Sequence, residues 1–221
     1  MHGPDYADDR ERFFKDLREA LDATGDVPFA FVFGNHDAES TVTKEEILHV
    51  LGTYPNSLTQ GENYVLRTGG ETLLFLDSGS EYDGEESHYD IVRPEVLRWA
   101  QTQISGEKAI LFQHIIIPDI LEAVEKGPDG VCRFRPGFAY SGALKERPCP
   151  PDINTGELAL LAPSLKAMVF GHDHVNSFEC VLQGVKIIQC AAASMSGYEY
   201  PQPPTVKLLD TASMTTEIIN I

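Results

Sequence analysis

The stretch "KAMVFGHDH", residues 166–174, joins an apolar run to a polar ending that contains two histidines. A short apolar run that stops abruptly is typical of a strand buried on both faces. In an extended segment every second residue lies on the same face, so His172 and His174 can point to the same side. The stretch therefore predicts a buried strand with two imidazoles just beyond its carboxyl end.

Two further apolar runs have the same kind of ending. "KAILFQH" (108–114) ends in a histidine, and "VPFAFVF" (27–33) is followed by Gly, Asn, His and Asp. Each run predicts a buried strand, and ligands of open α/β sheets bind beyond the carboxyl ends of the strands. Imidazole suits zinc, iron and manganese, and an amide oxygen is a neutral ligand for the same ions. We therefore expect a metal site built from Asn35, His36, His114, His172 and His174.

Each of these signals has an ordinary alternative when it is considered alone. A single histidine at a strand end, such as His114, is usually a polar loop residue. The sequence "NHD" (35–37) also suits a simple turn, because Asn and Asp favour turns. The coincidence of three such endings after three apolar runs favours the metal site.

The rest of the chain predicts a layered α/β domain with a mixed sheet. Amphipathic periodicity predicts helices at 9–24 and 94–105, a capping-box pattern opens a helix at Thr43, and a short helix is expected at 155–162. Glycine-containing turns predict hairpins across 63–78 and 178–190, and a last hairpin is expected across 205–221. The Pro- and Gly-rich stretch 127–154 predicts a long loop. No internal repeat and no linker divides residues 1–221, which indicates a single domain.

Composition limits the classes of partner. The chain has 221 residues and a net charge of −17, and so acidic a surface disfavours nucleic acid. No apolar run approaches the roughly 18 residues of a membrane span, so no membrane partner is expected. The chain as it stands opens without a basic and apolar leader, and its compartment is left unassigned. The four cysteines favour free thiols, although a bridge between Cys132 and Cys149 stays open for an exported protein.

Five local patterns, in this order, carry a resemblance to a known family: "GNHDAEST", "LFLDSGS", "FQHIIIPD", "INTGELALL" and "GHDHVNSF". They resemble the calcineurin-like metallophosphoesterase superfamily, and within it the short, single-domain, purple-acid-phosphatase-like branch. The resemblance covers essentially the whole chain. It implies a four-layer α/β/β/α sandwich of mixed sheets with two metal ions between strand ends.

The same resemblance implies a role for each matching residue. Asn35, His114 and His172 would bind one metal, and His174 would bind the other. His36 would act on the substrate phosphoryl group, as an electrostatic stabiliser or as an acid. The ions would be iron, zinc or manganese, and a hydroxide bridging them would attack a phosphomonoester, possibly on a phosphoprotein. A phosphodiesterase or nuclease with the same metals is the alternative, and so is an inactive remnant that binds a metal or a protein.

Two neighbouring residues have lesser expected roles. Asp37 is expected to hold the loop or His36 in place as part of the catalytic machinery, although a plain turn residue is an equal alternative. Asp173, between the two histidines of the "GHDH" pattern, is expected to be a spacer in the loop.

The chain departs from the family pattern at its start. The motifs D-x-H (or D-x-Q) and G-D, which supply further metal ligands, are not found before Gly34. Acidic residues such as Asp5 and Asp8 do not follow an apolar strand. The departure predicts that the N-terminal strands are missing. It also predicts one weak metal site, and little phosphatase activity from the 221-residue chain itself.

Overall fold

The computed structural model describes residues 10–37, 41–193 and 203–221. Its α-helices are α1 (Arg10–Asp22), α2 (Lys44–Leu51), α3 (Pro94–Gln103) and α4 (Glu157–Leu161), and short 3-10 helices span Pro118–Glu122 and Ala162–Ser164. Its strands are β1 (Tyr64–Thr68), β2 (Glu71–Phe75), β3 (Ala109–Gln113), β4 (Val124–Lys126), β5 (Cys132–Phe134), β6 (Tyr140–Ala143), β7 (Leu165–Phe170), β8 (Ser177–Leu182), β9 (Val185–Gln189), β10 (Thr205–Asp210) and β11 (Thr215–Asn220).

Seven of the strands form one mixed sheet in the order β1-β2-β3-β7-β9-β8-β6. The central strands β2, β3, β7 and β9 are parallel, and β1, β8 and β6 join them in antiparallel pairs. The register places Gln113 of β3 opposite Phe170 of β7. The residues that follow these two strands, His114 and Gly171, therefore emerge side by side at one edge of the sheet.

Both faces of the sheet are covered, which explains the continuous apolar runs of its central strands. Leu111, Met168 and other residues on one face are fully buried in a cluster that also contains Leu97 of α3 and Leu158 of α4. The opposite face carries Ile110 and its neighbours, which pack against the hairpin of β10 and β11.

Helices α1 and α2 form a fourth layer, on the same side of the seven-stranded sheet as the hairpin of β10 and β11. Helices α1 and α2 pack on the extended segment 29–33, which contributes Phe33 to their cluster. The alternate residues of the segment, Ala30 and Val32, face the seven-stranded sheet. Helices, sheet, a second extended layer and further helices thus follow one another, and the expected α/β/β/α architecture is confirmed.

The prediction of a fully buried strand at 27–33 was wrong. Within the described residues the segment forms only an isolated bridge between Phe29 and Ser57. Side chains replace a neighbouring strand at its centre: the backbone N–H of Phe31 donates to Thr59 Oγ1 and to Tyr64 Oη, and Tyr64 donates back to the Phe31 carbonyl at 2.7 Å. An extended backbone therefore forms without a strand ladder.

The prediction of a long loop at 127–154 was wrong in part. Strand β5 pairs with β4, and β6 extends the main sheet by pairing with β8. Gly142 is one reason why the sequence pattern did not predict β6. A β-carbon at this position would lie 2.2 Å from the carbonyl oxygen of Ser177, so the close approach of the two strands requires glycine.

The other sequence-based elements are confirmed. Thr43 and Glu46 form the capping box of α2. The main hairpins turn at Gly69-Gly70 and at Gln183-Gly184, where each residue has a positive φ angle. All four cysteine thiols are free. Among the described helices, none has the length and apolar content needed to span a membrane.

Candidate metal centre

The parallel register of β3 and β7 brings His114 and His172 together. The backbone N–H of Gly171 donates to the His114 carbonyl at 3.1 Å, which continues the ladder by one step. The two imidazole rings then lie with their centroids 5.3 Å apart and their planes at 77°. This is the convergence that the strand-end pattern predicts.

The close approach of these strand ends depends on glycine. A β-carbon at Gly171 would lie 3.1 Å from Nδ1 of His114, and one at Gly34 would lie 3.4 Å from Nε2 of the same ring. The His114 ring is therefore enclosed between two glycine backbones. A larger residue at Gly171 would require the ring to shift by a few tenths of an ångström, whereas one at Gly34 would be in ordinary contact with it.

Asn35 joins the two halves of the site. Its side chain is buried, with an exposed fraction of 3%. Its Oδ1 lies 3.0 Å from Nε2 of His114, and its Nδ2 lies 2.9 Å from Nε2 of His36. Since an amide oxygen only accepts and an amide nitrogen only donates, Nε2 of His114 carries a proton and Nε2 of His36 does not. Asn35 thereby connects the segment 27–37 to the end of β3.

Asp37 closes the turn that presents Asn35 and His36. Its Oδ2 accepts a hydrogen bond from the backbone N–H of Gly34 at 2.6 Å, and its own N–H donates to the Gly34 carbonyl at 3.2 Å. Burial raises the pKa of its carboxyl group, which the Gly34 N–H partly offsets. These contacts fit the loop-holding role expected for Asp37.

His172 has an unusual backbone. Its φ angle is +66°, a left-handed conformation that costs energy for a residue with a β-carbon. The ring of Tyr89 meets its imidazole edge-on, with centroids 4.5 Å apart. Strained backbone conformations of this kind occur often at functional sites, where the surrounding structure maintains them. Tyr89 is a site residue that the sequence patterns do not reveal.

The electrostatics of the cluster favour a neutral His114. Burial lowers the pKa of His114 to about 3, and the nearby His172, His174 and His36 act in the same direction. The other three histidines are thus close enough to influence His114. A neutral imidazole is the form that binds a metal ion, and His114 would bind through Nε2 once the proton on that atom moves to Nδ1.

The residues fit one metal ion by their chemistry. Two ligand atoms that bind one ion at about 2.1 Å lie about 3 Å apart when they are at right angles. Asn35 Oδ1 and His114 Nε2 have this separation, and His172 lies beside them. A second ion has less support. No group of three His, Cys, Asp or Glu side chains within residues 10–37, 41–193 and 203–221 is arranged to hold a metal. Asp5 and Asp8 lie outside the described residues.

His174 lies on a loop whose buried polar residues sequence reasoning did not identify. Asp173 is not the spacer that the pattern suggested: its exposed fraction is 3%, and it accepts from the Cys149 N–H and from Asn176 Nδ2. Asn176, fully buried, accepts at Oδ1 from the backbone N–H groups of Lys145 and Glu146. The "GHDHVN" loop (171–176) therefore anchors the segment 145–149 beside the site.

Comparison with known proteins places this site in a family context. The family model described as calcineurin-like phosphoesterase matches residues 2–176. In Arabidopsis thaliana, "Probable inactive purple acid phosphatase 14" is 27% identical over 215 residues, covering 78% of this chain and 51% of that protein. "Probable inactive purple acid phosphatase 28" is 28% identical, covering 80% of this chain and 52% of that protein. "Uncharacterized protein C1020.05" of Schizosaccharomyces pombe is 27% identical, covering 80% of this chain and 35% of that protein.

The chain spans about half the length, or less, of the curated relatives described above. The names of the two plant proteins include the word inactive. Hydrolysis by this chain is therefore a question separate from its family.

Proposed function

Since the chain belongs to the calcineurin-like phosphoesterase family, we propose that it is a metal-dependent phosphoesterase whose substrates are phosphomonoesters. The observation that carries the proposal is the contact between Asn35 Oδ1 and His114 Nε2 at 3.0 Å, with His172 beside it. A neutral amide oxygen and neutral imidazoles at the ends of adjacent strands form a ligand set for zinc, iron or manganese. We assign Asn35, His114 and His172 to one such ion, and His174 to a second.

The metal is needed because phosphate esters resist attack. Their anionic oxygens repel nucleophiles, and a bound cation supplies the positive charge that neutralises these oxygens. The protein surface cannot supply that charge, because the chain has 34 acidic and only 17 basic residues. Asn35, which is buried, and His114 instead fix the position of the charge, through atoms that are already oriented toward each other.

His36 is proposed to donate a hydrogen bond to the phosphoryl group. Its Nε2 accepts from Asn35 Nδ2, so the neutral ring carries its proton on Nδ1. An acid role would require a second proton at Nε2, and that proton would break the bond from Asn35. The geometry therefore favours electrostatic stabilisation of the reacting phosphoryl oxygens over proton donation to the leaving group.

Two observations bear on the substrate. The acidic surface disfavours nucleic acid, whose binding depends on contacts between basic side chains and phosphates. A phosphomonoester is therefore proposed in preference to a nucleic-acid diester. Small phosphate esters and phosphoproteins both satisfy this chemistry.

A second candidate function is metal-dependent binding of a phosphate ester without turnover. The described residues contain no cluster of three His, Cys, Asp or Glu side chains that suits a metal. Attack on a phosphate ester in this family's manner depends on two ions. A chain that holds a single ion would bind the ester and leave it intact.

Hydrolysis of phenyl phosphate and of bis(4-nitrophenyl) phosphate, with manganese, zinc or iron and with a chelator, separates these functions. Chelator-sensitive release of phosphate from the monoester alone supports the proposal, and its rate measures how much activity the 221-residue chain retains. Metal-dependent binding of phenyl phosphate without release supports the second candidate. Faster hydrolysis of the diester would overturn the choice of substrate.

A further inference from the structure

A cleft of about 560 Å³ lies beside the candidate metal centre. One wall is formed by the 3-10 helix and the β4–β5 excursion, and the other by the segment 145–147. Ligand pockets for small molecules have volumes of roughly 300–1,000 Å³, so the cleft can accept an organic molecule of moderate size. Neither the metal ligands nor His36 are among the residues that line it.

The cleft is fastened to the metal centre through buried hydrogen bonds. Asn176 Oδ1 accepts from the backbone N–H groups of Lys145 and Glu146 at 2.8 and 3.1 Å, and Asn176 Nδ2 donates to the Glu146 carbonyl at 3.2 Å. Asp173 holds the Cys149 N–H at 3.1 Å. Both anchors belong to the loop that carries His172 and His174. The wall 145–147 is therefore fixed relative to the loop that carries His172 and His174.

Electrostatic contacts show how near the two sites are. His174 acts on the pKa of Glu146, where it opposes the larger raising effect of burial. Glu146 also lines the cleft. Across the cleft, burial raises the pKa of the Cys132 thiol, and the Arg147 guanidinium partly opposes this effect. Glu146 thus belongs to the cleft and lies within electrostatic range of His174, and Arg147 and Cys132 face the same cleft.

The charge of the cleft is opposite to that of the whole chain. Its lining contains four cationic side chains and two carboxylates, Glu125 and Glu146, in a protein of net charge −17. The four cations are Lys126, Arg135, Lys145 and Arg147. Arg135 is paired with Glu125 at 3.3 Å. The local excess of positive charge can attract an anionic ligand that the rest of the surface repels.

Part of the cleft lining is apolar. Leu121, Val124 and Val131 belong to it, and Val131 is exposed over 48% of its surface. Apolar and cationic side chains lining the same cleft suit a ligand with a hydrophobic body and a negatively charged end. The hydrophobic body of such a ligand would join a phosphoryl group at the metal site to a second anionic group at Arg147.

We propose that this cleft binds the alcohol portion of the substrate, and that the substrate is a small phosphate ester whose apolar alcohol portion carries a second anionic group. The inference rests on the proposed function, because it places the phosphoryl group at the metal site. Arg147 and Lys145 hold the second anion, and Leu121, Val124 and Val131 contact the apolar body. An acidic phosphopeptide has similar charge, but the confined volume of the cleft favours a small molecule.

The test compares two esters that differ by one carboxylate, 2-naphthyl phosphate and 6-carboxy-2-naphthyl phosphate. Their binding to the full chain is measured by calorimetry with zinc present, so that the phosphoryl group can occupy the metal site. We expect the carboxylated ester to bind about tenfold more tightly, as one charge-assisted hydrogen bond suggests. Arg147→Ala should reduce this preference to about one, and Arg98→Ala, an exposed arginine on α3, should leave it unchanged.

Each outcome of this experiment either supports or contradicts the inference. No preference in the wild-type chain, or a preference that persists in Arg147→Ala, overturns the inference. Tighter, Arg147-dependent binding of an acidic phosphoserine peptide overturns the choice of a small molecule. Hydrolysis with added metal is a separate measurement. Equal hydrolysis of both esters without a binding preference contradicts the cleft alone, and a binding preference without hydrolysis contradicts the proposed function alone.

Discussion

The end of β3 and the segment 27–37 carry ligand candidates on two different kinds of support. His114 follows a strand paired on both sides by parallel neighbours, and the ladder continues to the Gly171 N–H. Asn35 follows an extended segment that Tyr64 and Thr59 hold through their side chains. One half of the site is therefore placed by backbone pairing, and the other by a few side-chain contacts.

The difference shows where the site is sensitive to substitution. A ladder distributes its hydrogen bonds over many residues, so no single side chain determines the position of His114. The segment 27–37 depends on Tyr64 at its centre and on the Asn35 contact at its end. We expect single side chains to matter more for Asn35 and His36 than for His114.

The largest expected effect concerns His36, at the end of the side-chain-supported half. His36→Ala should lower metal-dependent turnover of a phosphomonoester by about 10²–10³-fold, because a hydrogen bond to the reacting phosphoryl group is lost. The metal content of the same samples should not change. A loss of metal along with turnover would make His36 a ligand and contradict its proposed role at the phosphoryl group.

A smaller effect is expected behind the ladder-supported half, at Glu157. Burial raises the pKa of this carboxyl group to about 8. Near neutral pH the folded protein therefore keeps a proton there that the unfolded chain, with the usual pKa of a glutamate, has already released. Stability from this group is therefore full at low pH and is lost as the pH rises toward 8. Glu157→Gln removes this pH-dependent loss. The free energy of unfolding of the variant minus that of the wild type should therefore be about 2 kcal/mol larger at pH 7 than at pH 5.

Urea unfolding of both proteins at the two pH values measures this change. Glu122, which is exposed at the end of the 3-10 helix, provides the control substitution Glu122→Gln. A stability difference for Glu157→Gln that does not vary with pH would mean that the carboxylate is charged in the folded protein.

Tyr64→Phe tests the support of the segment 27–33 directly. It removes the hydroxyl that donates to the Phe31 carbonyl and accepts from the Phe31 N–H. The Phe31 N–H keeps its bond to Thr59 Oγ1, and loss of the partner of the Phe31 carbonyl should cost about 1–3 kcal/mol. Hydrogen exchange at Phe31 should quicken, whereas exchange at Leu111 in β3 should change only as far as global stability falls. Equal changes at both residues would show that the two halves are not independently supported.

Sequence reasoning predicted that His114 and His172 come together beyond the ends of buried strands, and the structure has them there. The runs before His114 and His172 are continuous and apolar because both faces of the sheet are covered, and such burial is visible in a sequence. The run before Asn35 is equally apolar, yet it forms no strand. Its partners are the side chains of Thr59 and Tyr64, and no pattern of hydrophobicity encodes them.

The residues that sequence reasoning missed share one property: each acts through a contact distant in the chain. Tyr89 meets His172, Asn176 holds Lys145 and Glu146, and Asp173 holds Cys149. A buried polar residue in a loop has no periodicity, and its partner becomes known only once the fold is known. The basic cleft could not be predicted from the sequence for the same reason, since its walls come from segments separated in the sequence.

Metal binding by the chain and two histidine variants tests the central claim most directly. Calorimetric titration with zinc or manganese should give at least one bound ion per chain. His114→Ala should weaken this binding at least about tenfold, because one of three protein ligands is lost. His49→Ala, which removes an exposed histidine from α2, should bind as the wild type does. Unchanged binding in His114→Ala, or equal loss in both variants, would contradict the assignment of the site.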